Sequence, residues 1–85
     1  MASPLNVPRY RLSNDHAFTI VPSDTVDCPQ CPVELYVGVS GDVTILTQYD
    51  EVVTFKAVPA GAVLPIIIKR VKSTGTTATN MVGLY

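Results

Sequence analysis

Charge is the first thing this sequence is short of: Asp, Glu, Lys and Arg make up 15% of its 85 residues, against about 25% in ordinary soluble domains. Six basic and seven acidic side chains leave a formal net charge of −1. The chain therefore lacks the basic excess that favours binding to a phosphate backbone, and nucleic acid is not an expected partner. No apolar run approaches the roughly 18 residues needed to span a bilayer, so no transmembrane helix, and no membrane partner, is expected. The opening, Met1 to Arg9, has neither the basic start nor the apolar stretch of a secretory signal, and synthesis in the cytoplasm is the expectation. No segment of ten or more residues combines apolar spacing at 3 and 4 with capping signals, which confines helix to at most one turn near residues 13–16.

Groups that carry chemistry are equally scarce. The chain has one histidine and two cysteines. Cys28-Pro29-Gln30-Cys31 is half of a zinc or redox motif, but four ligands are needed to close a structural zinc site, and His16 is the only further soft ligand in the chain. Three readings stay open for the pair: free thiols acting as small apolar groups in a loop, a local or intersubunit disulfide, and a metal shared between subunits. Asp24, Asp27, Asp42, Asp50 and Glu51 all fall in expected turns, where a carboxylate bonds nearby backbone. His16 has no Ser, Cys or Asp arrangement around it that would make it a base. No catalytic, cofactor-binding or metal residue is assigned, no cofactor is expected, and the chain reads as a non-enzyme.

What the sequence does have is apolar strand-forming residues, with 47% hydrophobic side chains. One domain is the most that this length accommodates, and a domain of this size buries only about 60% of its unfolded surface, so partners are a common supplement. Ala17 to Val21 is a β-prone run stopped by Pro22-Ser23-Asp24. Val33 to Val39 alternates, then Ser40-Gly41-Asp42 signals a turn into Val43 to Gln48, which predicts a hairpin. Tyr49-Asp50-Glu51 turns again into Val52 to Val58, closed by Pro59-Ala60-Gly61, and the series predicts an antiparallel meander. Pro65 places the start of the next apolar run at an edge or a strand entry, with the strand itself over Ile66 to Val71. A Thr-rich turn around Gly75 leads to a last strand over Met81 to Tyr85. The fold class expected is all-β: a small antiparallel sandwich or barrel of five to seven short strands over residues 17–85, preceded by an extended arm over residues 1–16.

Two segments suggest contacts between subunits. Lys69, Arg70 and Lys72 alternate across the faces of a strand end; a solvated strand end is the ordinary reading, and the sharper one has one of them cross to an acidic turn such as Asp24 or Asp27 of a neighbour. The last 13 residues carry no charged side chain, and Met81, Leu84 and Tyr85 are expected to be buried in the core or between subunits. In the arm, Arg9 and Arg11 form a basic pair around Tyr10.

The motifs also stand in a recognisable order: Pro22-Ser23-Asp24-Thr25 with Asp27, Leu35-Tyr36-Val37-Gly38, Gly41-Asp42-Val43-Thr44, Val53-Thr54-Phe55-Lys56, Val58-Pro59-Ala60-Gly61, Lys69-Arg70-Val71, Ser73-Thr74-Gly75-Thr76 and Leu84-Tyr85. Over residues 17–85 this order resembles the head spike base proteins of gene transfer agents and related tailed phages. The resemblance implies a virion protein, made in the bacterial host cytoplasm, that forms a homo-oligomeric ring, a pentamer, on the capsid vertices. It further implies the major capsid protein and a spike or fibre protein as partners, with Arg9, Tyr10 and Arg11 docking on the capsid. A capsid decoration or cement protein and a tail-fibre or receptor-binding module are the alternatives. The Cys28 to Cys31 segment departs from the plain apolar, Pro and Ala residues that the resemblance leads one to expect there.

Overall fold

Short runs of β-branched residues, punctuated by Pro and Gly, fold here into strands only. The computed structural model describes residues 15–85, and among these it has seven strands and no helix: β1 (Ala17–Thr19), β2 (Glu34–Tyr36), β3 (Gly41–Thr47), β4 (Val52–Val58), β5 (Val63–Leu64), β6 (Ile68–Val71) and β7 (Val82–Leu84). They form two antiparallel sheets, ordered β1-β7-β2-β5 and β4-β3-β6. Leu35 and Val37 come from the first sheet and its exit; they meet Val43, Ile45, Ile68 and Val71 of the second, with Ile20, Ala78 and Met81 closing the ends. The expected all-β sandwich is what forms, and the barrel alternative is not.

The expected meander is corrected. β2 and β3 are not a hairpin: β2 lies between β7 and β5, whereas β3 is the centre of the other sheet. Residues 37–41 therefore carry the chain from one sheet to the other. Gly38 donates its N–H to the Asn80 carbonyl (3.1 Å), and Val39 bridges Thr79, so the Ser40-Gly41-Asp42 signal marks a crossover held by the distant 79–80 segment. The run after Pro59 also divides. Val63 and Leu64 pair with β2 as an edge, Pro65 breaks the ladder, and the strand expected over Ile66 to Val71 begins only at Ile68. No helical turn forms at His16, which instead exchanges backbone hydrogen bonds with Tyr85 (2.8 and 2.9 Å); the rest of the expected turn lies outside the described residues.

β3 is covered on both faces. The 73–79 segment lies across its outer side, where Thr44 N–H donates to Thr76 Oγ1 (2.9 Å), Asp42 N–H donates to Thr77 Oγ1 (2.8 Å), and Thr44 Oγ1 shares a hydrogen bond with Thr54 Oγ1 (2.9 Å). Threonines suit this position because their hydroxyls satisfy backbone groups that water no longer reaches.

The hairpin between β3 and β4 forms where the sequence placed it. Asp50 takes the left-handed conformation there (φ 64), which Asp tolerates better than most residues. Thr47 is buried; its Oγ1 accepts from the N–H groups of Tyr49 (3.3 Å) and Glu51 (3.2 Å) and donates to Glu51 Oε1 (3.1 Å). Thr47→Val keeps the shape and removes all three bonds, so it is expected to cost about 1 to 3 kcal/mol, read as a lower urea midpoint at unchanged m-value.

Candidate assembly surfaces

The charged cluster does not reach outward as its sequence suggested. Arg70 turns back on its own chain: its Nε and Nη2 both donate to Asp27 Oδ1 (2.9 and 2.7 Å) and its Nη1 donates to the Asp24 carbonyl (2.9 Å). The acidic turn expected to belong to a neighbour is thus supplied in cis. The cause is the segment after β1, which folds along the outer edge of β6: Ser23 N–H donates to the Val71 carbonyl (2.8 Å) and Cys28 N–H to the Lys69 carbonyl (2.9 Å). Lys69 pairs with Asp50 (2.7 Å), and Lys72 donates its backbone N–H to Thr44 (2.9 Å).

Met81 is 2% exposed and belongs to the core of the single chain, the first of the two places expected for it. Leu84 is half-buried in β7. The Tyr85 ring stacks on His16 (centroids 5.0 Å apart, 19° between planes) and meets Phe18 edge-on (5.7 Å), so the C-terminal residue ties the last strand to the first. Cys28 and Cys31 are free thiols, the first half-buried and the second exposed. Burial, reinforced by nearby Cys31 and Asp27, raises the Cys28 thiol above its ordinary value of 9.0, so it stays protonated and poorly nucleophilic at neutral pH. Among the described residues, no three of His, Cys, Asp and Glu converge on one point. Arg9, Tyr10 and Arg11 lie outside the described residues.

Carboxylates act here as backbone clamps between segments far apart in sequence. Asp24 accepts from the N–H and hydroxyl of Thr74 (2.9 and 2.6 Å), bonds that lower its pKa below 3.8. Asp42, inside β3 and not in a turn, accepts from the N–H of Ala57 (2.9 Å) and is lowered too, first by that bond and then by Lys56. Asp50 is lowered by Lys69. A carboxylate whose folded pKa is depressed stabilises the fold above its unfolded pKa, and that stabilisation is lost as pH falls through the folded value. The urea midpoint is therefore expected to hold from neutral pH down to about 5 and to drop below about 4. Asp24→Asn is expected to lower the neutral-pH midpoint and flatten the acid limb.

The two sides of the sandwich differ. β1 and β6 edges share one side, joined by the 20–28 segment that covers β6; β4 and β5 edges share the other, joined by residues 59–62, where Gly61 N–H donates to the Val37 carbonyl (2.7 Å) and Val37 N–H to that of Ala62 (2.9 Å). On the first side, Phe18, Val21, Pro22, Val26 and Pro29 line a cleft of about 450 Å³ with Asp27 at its margin. Val21 is 79% and Val26 66% exposed. On the second side, seven-residue β4 is an edge with no strand along its outer flank among the described residues. Its Val52 is 60% exposed, and Val53 next to it is exposed as well. A long apolar edge of this kind is normally covered by a partner. Sequence reading missed both surfaces, because nothing in the run Val52 to Val58 itself says that the strand is an edge.

No protein-family model matches the chain, and no curated protein matches it. Among solved structures it is similar to a chain in the capsid of a native gene transfer agent particle computed with C5 symmetry. The two share 34% identity with a TM-score of 0.79, over 86% of this chain and 84% of that one.

Proposed function

This chain belongs to a family of gene transfer agent capsid proteins, and on that footing we propose that it is a virion structural protein, the base of a head spike, forming a ring of five on the capsid's fivefold vertices. The match to a particle capsid over most of both chains is the observation that carries the virion reading, and the head-spike and five-copy parts rest on the resemblance in motif order. The fold supports it as well: a small sandwich with one apolar cleft and one apolar open edge on opposite sides is suited to repeated contact with copies of itself. In this role the subunit has no reaction to perform. The arm over residues 1–16, with Arg9, Tyr10 and Arg11, faces the major capsid protein, and the opposite end of the ring holds a spike or fibre protein.

Copy number per particle tests this. Five copies at each vertex amount to about 60 per icosahedral particle, less those displaced by a portal. Quantitative mass spectrometry of purified particles is expected to return that figure relative to the major capsid protein. Several hundred copies would assign the chain to decoration across the capsid faces, and a handful would assign it to the tail.

A further inference from the structure

The cleft and the open edge are complementary in chemistry. The cleft is apolar, lined by Phe18, Val21 and Val26, with the Asp27 carboxylate in its wall. The β4 edge is exposed and apolar and carries a cation, Lys56, whose side chain is 77% exposed and held only loosely by Asp42 at 3.4 Å. The two lie on opposite sides of one sandwich. A contact between two different patches is head-to-tail, and repetition of a head-to-tail contact closes a ring when the rotation allows it. A two-fold contact of either patch with itself would bring Lys56 against Lys56, or Asp27 against Asp27, and would leave the other patch bare.

We infer that the occupant of the cleft is a second copy of this chain: the β4 edge of one subunit seats Val52 in the cleft of the next, with Lys56 reaching Asp27 in the cleft wall. This rests on the ring reading and specifies how the ring is made. Arg70 has a defined part in it. By holding Asp27 Oδ1 in cis it fixes the 20–28 segment that forms the cleft wall, while the half-exposed Asp27 keeps its Oδ2 for the incoming lysine.

Native mass spectrometry of the full chain and of two variants, Val26→Lys in the cleft and Val52→Lys on the edge, tests the inference. The unmodified chain is expected at about five times the 9.1 kDa subunit mass. Each variant alone is expected as a monomer. An equimolar mixture is expected to form a dimer and stop there, because the Val26→Lys chain keeps a good edge and the Val52→Lys chain keeps a good cleft, and the two altered patches repel. Rings from either variant alone would overturn the inference and leave the ring reading intact, as would a mixture that stays monomeric while both variants melt as folded proteins. A monomeric unmodified chain would overturn the ring reading itself. Should a lysine variant fail to fold, Val26→Thr and Val52→Thr keep the side-chain shape, and each is expected to raise the ring's dissociation constant about tenfold; an unchanged constant for both would overturn the inference.

Discussion

Met81→Ala is expected to lower the unfolding free energy of the chain by about 2 to 5 kcal/mol, the range for truncating a large buried side chain where the cavity cannot collapse. Met81 is among the largest fully buried side chains, and it packs in the cluster that joins both sheets. Its carbonyl also accepts from Ile20 N–H (3.0 Å), so the backbone around it has little freedom to close the gap. Domains this small have a total stability near the low end of about 5 to 15 kcal/mol. The variant should therefore sit close to its unfolding transition in buffer alone. Urea denaturation at protein concentrations low enough to keep the chain monomeric distinguishes a core residue from an interface residue: the core position predicts a large loss there, whereas an interface position predicts none. Leu84→Ala, at a half-buried position, should lose visibly less.

Gly38→Ala is expected to cost about 3 kcal/mol, the upper part of the usual range for forcing an extra carbon into packed structure. A Cβ at Gly38 would stand 2.4 Å from the Asn80 carbonyl oxygen and 2.9 Å from the Asn80 Cβ. The first of these is backbone, and Asn80 is already held at φ 55, so neither partner can yield without loosening the 37–41 crossover and the Val39–Thr79 bridge beside it. Gly61→Ala is the control. It meets nothing within 4 Å and carries only the conformational penalty of φ +84, about 1 to 2 kcal/mol. Thermal melts of the two variants should therefore differ clearly, with Gly38→Ala the lower.

These two residues also mark the limits of what the sequence revealed. β4 was legible to the residue, Val52 to Val58, because turn signals bound it on both sides and its run has no internal break. β3 was read as Val43 to Gln48 but runs Gly41–Thr47, because the residues taken for its leading turn belong to the strand. The residues between β2 and β3 were misread because Ser40-Gly41-Asp42 suits a tight turn and a sheet-to-sheet crossover equally well, and only the contact of Gly38 with Asn80, far along the chain, decides between them. Pro65 was correctly taken as a break in the ladder, but the two strands around it go to different sheets, which local pattern cannot show.

The candidate surfaces were legible in chemistry and not in address. Arg70 was matched with the right acidic turn but on the wrong chain: Asp27 is 43 residues away in sequence and is brought back only because the segment after β1 folds over β6. Met81 was rightly taken as buried, and the structure selects the core from the two places that the sequence left open. Val21, Val26 and Val52 drew no notice because an apolar residue in a short strand or loop is assumed to point into the core. Their exposure follows from the edge positions of β1 and β4, which are properties of the sheets and not of the local sequence.

The central claim is a location, and fivefold-symmetric reconstruction of intact particles tests it most directly. The account predicts density for this small sandwich as a ring around each fivefold vertex, with β4 of each subunit against the 18–29 segment of the next. Density for the chain only on the capsid faces or the tail, with vertices bare, would contradict it.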